Sequence, residues 1–141
     1  MKTSAGQVGA IAAEGSMTDL RFLKVVLGLQ IALGLLWGVS MLFFARQIVL
    51  GAPEGPHIEK IAMEGAAHLM LVFGASLVWR TPARSRDVLV LMIFLNALWT
   101  LTDLVYIPLL HLSEIDFYAK VIVNAILAIG LALSGRRAGL L

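Results

Sequence analysis

Cysteine is absent from the 141 residues. That removes disulfide exchange, thiolate nucleophiles, iron–sulfur ligation and palmitoylation from the functions open to the chain. Charge is scarce too, at 14% of residues, where an ordinary soluble domain carries about 25%. Only four prolines occur. Pro53, Pro56 and Pro82 lie in breaks between apolar stretches, and Pro108 lies near the end of one. No phosphate loop, nucleophile elbow or dinucleotide fingerprint is present, and no H-E-x-x-H pair.

What fills the chain is apolar: 60% of residues are hydrophobic, with a mean hydropathy of +0.90. Residues 25–45 contain no charge, and Gln30 and Ser40 are their only polar members. At ~1.5 Å of rise per residue this run spans about 30 Å, the hydrocarbon thickness of a bilayer. A helix buried in a soluble domain normally keeps a polar face, and this one has none. Three further runs of similar kind follow. The expected fold is all-α: an integral membrane four-helix bundle with transmembrane helices at about 20–47, 58–80, 87–110 and 115–134. Residues 1–18 show no apolar periodicity and read as a mobile tail, 19–137 as a single domain, and 138–141 as a C-terminal tail. Asp19 is a plausible N-cap for the first helix, and Ser113 for the fourth. Lys2 is followed by no apolar h-region, so no secretory signal peptide is expected.

The net charge of +2 and pI near 9.3 do not point to nucleic acid, because the cations flank the apolar runs. In a four-span topology Lys2, Arg21, Lys24, Arg80, Arg84, Arg86, Arg136 and Arg137 share one side. Arg46, Lys60 and Lys120 fall on the other. Lys and Arg beside spans are retained in the cytoplasm, so both termini are expected there, in a bacterial cytoplasmic membrane. The partners expected are membrane lipids. A homo-oligomer or larger membrane complex could form through Gly34 and Gly38, a small-x3-small pair, although contact inside the same bundle explains the pair more simply.

Polar residues inside the spans are the candidate site, since hydrocarbon penalises them. Glu64 and His68 lie four apart on one face of the second helix. Asn96, Trp99, Thr100, Asp103 and Tyr106 make a stripe on the third, Lys120 and Asn124 a pair on the fourth, and Gln30 with Trp37 a face of the first. Counting along the helices puts Glu64, Lys120 and Asp103 about 8–10 Å below the outer surface. The expectation is that all three meet and neutralise one another, with His68, Asn96 and Asn124 completing the hydrogen bonds beneath. His57 and His111 read as loop residues. Glu64, His68 and Asp103 are the candidates for acid–base chemistry. No metal and no cofactor are expected: Glu64 and His68 would need Asp103 as a third ligand, and a bis-histidine haem lacks its second histidine.

Three stretches resemble the small four-helix membrane proteins of the DoxX-like type and their uncharacterised relatives. They are Leu35-Leu36-Trp37-Gly38, Glu64-Gly65-Ala66-Ala67-His68 and Phe94-Leu95-Asn96-Ala97-Leu98-Trp99. The resemblance implies a four-helix membrane bundle and transfers no catalytic residue. The function expected is that of a non-catalytic accessory subunit, or of a binder of an apolar small molecule through a polar pocket in the outer half of the bundle. The alternatives are a membrane-embedded enzyme acting on a lipid-, quinone- or sterol-like substrate, and an oligomeric proton-coupled transporter. The same polar residues would also serve a purely structural network that fixes helix register.

Overall fold

The computed structural model describes residues 5–44, 56–109 and 115–141, with side chains described for 17–44, 59–105 and 118–141. Among the described residues there are four α-helices: α1 Ala5–Phe43, α2 Pro56–Arg80, α3 Arg86–Leu109 and α4 Ile115–Arg137. A single 3₁₀ turn, Pro82–Arg84, joins α2 to α3. Each helix includes a stretch long and apolar enough to cross a membrane: Met17–Phe43, Glu59–Arg80, Arg86–Val105 and Tyr118–Arg137. The protein is an all-α, four-helix membrane bundle. Among the described residues there is no strand.

Two helix ends differ from the sequence reading. The first helix begins at Ala5, not near Asp19. Residues 5–18 contain good helix formers (Ala5, Gln7, Ala10, Ala12, Ala13, Glu14) and no proline, so nothing interrupts the turn-to-turn bonding before the apolar run. The fourth helix runs past Gly135 to Arg137. Gly135 is there for close packing: a Cβ would lie 2.9 Å from the side chains of Leu89 and Leu141. The glycine that ends the helix is Gly139, at φ 70°. Its N–H bonds Arg136 O at 3.1 Å, and Leu140 N bonds Gly135 O at 2.9 Å. This is a Schellman cap, which needs a left-handed residue that only glycine adopts cheaply. The cap turns the last residues back onto the bundle, and Ala138 and Leu140 pack against its core. The expected ends of the first loop, together with Arg46, His111 and Ser113, lie outside the described residues. The backbone of His57 belongs to α2, which opens on Pro56, where the missing N–H costs no helical bond.

The helices form a ring in which each packs on its sequence neighbours and α4 closes against α1. Neighbours run antiparallel: Gly28 lies against Trp79, Gly34 against Val72, and Gly38 against Leu69 and Gly65, in opposite order along α1 and α2. Gly34 and Gly38 are therefore covered by α2. Without a hydrophobic force between helices in lipid, close approach at small residues is what gives van der Waals contact and stability.

This arrangement divides the bundle into two halves of different character. Toward one end, Leu23, Val26, Leu27, Leu71, Ala75, Val78, Leu89, Met92 and Leu131 form a dry apolar core. Arg21, Lys24, Arg80, Arg84, Arg86, Arg136 and Arg137 surround that end, because antiparallel packing brings these segments together. Ser85 and Ser134 are the small polar groups buried near that end, whereas the other half buries larger ones: Gln30, His68, Asn96 and Asn124.

Candidate functional site

The polar half is built in two tiers. In the lower tier, Asn96 on α3 is fully buried. Its Nδ2 donates to Met92 O at 2.8 Å, one turn back on its own helix, and to Gln30 Oε1 on α1 at 3.0 Å. Both amide hydrogens of Asn96 are thus used, which fixes the orientation of the Gln30 amide: its oxygen is taken and its Nε2 is the group left over. Thr100 donates its hydroxyl to Asn96 O at 2.8 Å, a bond within α3 that lets a hydroxyl sit in an apolar span. The Asn96 Oδ1 atom is buried with no hydrogen-bond partner. A ring contact ties α2 to α3 at the same level, with His68 and Trp99 centroids 4.7 Å apart and the planes tilted by 44°.

The upper tier is an ion pair. Lys120 of α4 donates to Glu64 Oε1 of α2. The two helices are not neighbours in the ring, so the pair reaches across the bundle. Both side chains are mostly buried, 22% exposed for lysine and 30% for glutamate. Asp103 lies within electrostatic range of both charges, yet it does not join them as the depth argument expected. Its Oδ2 is buried without a partner. Of the two carboxylates, Glu64 of α2 reaches the ammonium within ion-pair distance and Asp103 of α3 does not. Glu64 and Lys120 therefore form a pair with Asp103 beside it, not a closed triad.

A cavity of about 50 Å³ opens beneath the ion pair, bounded by α1, α2 and α4. Gln30, His68, Lys120 and Asn124 supply its polar groups, and Leu33, Gly34, Trp37, Met41, Val123 and Leu127 are among its apolar ones. Asn124 is 4% exposed, and its Nδ2 has no hydrogen-bond partner. The α1–α4 contact is close toward the cationic end, where a Cβ on Gly130 would lie 3.2 Å from Val26. It is looser in the polar half, and the cavity occupies the space between the two helices.

The sequence-derived candidates thus fall into groups. Gln30, Trp37, His68, Lys120 and Asn124 meet at the cavity, with Glu64 tied to it through Lys120. Asn96, Trp99 and Thr100 support its floor. Asp103 is not among the residues that line it, so Glu64, His68 and Asp103 do not converge on one point. The Tyr106 side chain lies outside the described residues. Among those described, no group of three metal-ligating side chains comes together. Leu33, Ala119, Val123 and Leu127 also line the cavity and were missed. On α4 the signal was available, since Val123 and Leu127 continue the face of Lys120 and Asn124 at steps of three and four.

No protein-family model, no curated protein and no solved structure matches the chain. Nothing in these comparisons bears on the DoxX-like resemblance, and no residue role is carried over from a relative.

Proposed function

We propose that the protein is a non-catalytic membrane protein that binds the oxygen-bearing end of an apolar small molecule in the cavity between α1 and α4. The observation that carries this reading is the surplus of donors among the groups that line the cavity. Asn124 Nδ2 is buried without an acceptor, and the Gln30 oxygen is already taken by Asn96. The Lys120 ammonium has three hydrogens and a single carboxylate partner among the described residues. Unsatisfied buried donors cost about 1–3 kcal/mol each, so an occupant with acceptor oxygens is favoured there. Lys120 and Glu64 neutralise each other, which favours an uncharged carbonyl, ether or hydroxyl over an anion.

Size sets the second condition. A cavity of about 50 Å³ holds a few waters or the polar end of a larger molecule. The body of a sterol or quinone exceeds it and would remain between the helices, against Leu33, Trp37 and Val123. The positive-inside rule supports a topology with both termini in the cytoplasm of a bacterial cell and the cavity toward the outer face.

The test is native mass spectrometry of the full chain, released from bacterial membranes in mild detergent. Wild type should retain about one oxygen-bearing apolar molecule per chain besides bulk phospholipid. Asn124→Leu should retain about tenfold less, the loss of one donor bond at ~1.4 kcal/mol. Equal retention by both proteins, or phospholipid alone in both, would remove the reading.

A further inference from the structure

A second opening lies at the opposite, cationic end and shares no residue with the cavity. It is a groove of about 390 Å³ between α1 and α2, lined by Gly28, Ile31, Ser76, Trp79 and Arg80. We propose that this groove holds one anionic phospholipid, with its phosphate between Arg80 and Lys24 and one acyl chain laid along Gly28 and Ile31.

Four observations converge on that occupant. The first is shape: the Trp79 ring packs on Gly28, where a Cβ would lie 3.3 Å from it, so the indole forms one wall of the groove. The second is polarity along its length. Ile31 lies deeper in the span than Gly28, which touches Trp79, while Trp79 and Arg80 close the end of α2, which matches a chain below and a headgroup above. Trp79 is 39% exposed, in the position where amphipathic rings settle at headgroup level.

The third is charge. The Lys24 ammonium lies 5.9 Å from the centroid of the Trp79 ring, the groove wall next in sequence to Arg80, which itself lines the groove. Neither cation is in an ion pair among the described residues, where the single salt bridge is Lys120–Glu64. Basic pockets between spans at such an end suit anionic lipid headgroups.

The fourth concerns repulsion. The carbonyl end of a helix normally repels an anion. Here Leu77 O, in the last turn of α2, accepts from Thr81 N at 2.9 Å and from the Thr81 hydroxyl at 3.2 Å. One carbonyl at the negative end of the helix is thereby already engaged.

The test titrates the full chain in detergent with phosphatidylglycerol or phosphatidylcholine of the same acyl chains and counts bound lipids by native mass spectrometry. Phosphatidylglycerol should bind as a single tight equivalent, about tenfold more tightly than phosphatidylcholine. Each near-surface cation contributes about a fivefold factor, so Arg80→Gln and Lys24→Gln together should weaken binding about 25-fold. Arg84→Gln, away from the groove, should leave it unchanged.

Gly28→Leu pushes the Trp79 ring, 3.3 Å from the new Cβ, out of its place as the wall of the groove and should also abolish the tight equivalent. If that variant does not fold, Ser76→Leu fills it from the opposite wall with the same expected loss. Inorganic phosphate at millimolar concentration should not compete. Equal binding of the two lipids would overturn the proposal. So would competition by phosphate, or a Gly28→Leu or Ser76→Leu protein that still binds one phosphatidylglycerol tightly.

Discussion

Replacing Gly65 by leucine is expected to abolish the folded bundle. A Cβ on Gly65 would lie 2.8 Å from Leu42 N, 2.9 Å from Gly38 O and 2.9 Å from Met41 Cβ. The first two of these are main-chain atoms of the facing helix, which cannot rotate away as the end of a side chain can. Even Gly65→Ala must push α1 and α2 apart, at a cost of about 1–3 kcal/mol for overpacking. Leucine adds three more carbons to the same contact. Because association in lipid depends on this close fit, separating the two helices also loses the dispersion contacts at Gly34 and Gly38. Thermal unfolding in detergent should show a lowered midpoint for Gly65→Ala and no cooperative transition for Gly65→Leu. By contrast Ala66→Leu, one position along and exposed, should unfold like wild type. A cooperative Gly65→Leu protein with an unchanged midpoint would mean that α1 and α2 are not in contact there.

The second large effect concerns the ion pair across the bundle. Glu64→Gln leaves the Lys120 ammonium without its carboxylate, and Lys120→Met leaves the Glu64 carboxylate without its cation. A lone charge in a helix centre costs about 2.5–3.5 kcal/mol on insertion scales. These side chains are 30% and 22% exposed, so partial hydration should bring each single change to the lower part of that range. The double change Glu64→Gln with Lys120→Met removes both charges, and should recover most of the loss, because a buried pair replaced by uncharged groups of similar volume is often neutral. Unfolding free energies of the four proteins close a double-mutant cycle. Additive losses in the double variant would show that the two groups do not interact.

Much of this architecture was legible because the signals were long. A 21-residue run without a charge can be satisfied in few ways, and Pro56 and Pro82 stand where α2 and the 3₁₀ turn begin. The shared face of Lys120 and Asn124, and that of Gln30 and Trp37, followed from helical spacing alone. What spacing could not supply was partner choice. Asp103 was placed at the right depth, yet depth does not say which of two carboxylates a single lysine takes. Gln30 and Asn96 were both visible as polar intruders, but their direct bond depends on the rotation of α1 against α3, which no local pattern encodes. The helix over residues 5–18 was missed for a different reason. Those residues lack apolar periodicity, and helix propensity without an amphipathic face left no pattern to read. Gly135, just past the expected end at 134, lies inside the helix and serves a close contact.

The central claim is that Glu64 and Lys120, from helices not adjacent in the ring, meet inside the bundle. The absence of native cysteine allows a direct measurement. Glu64→Cys with Lys120→Cys, treated with a short bifunctional thiol reagent in native membranes, should cross-link within the chain in high yield. Glu64→Cys with Ile122→Cys sits at nearly the same height with the second thiol facing lipid, as Ile122 is 57% exposed, and should not. Equal yields from the two pairs would place the Lys120 position outside the bundle and contradict the site.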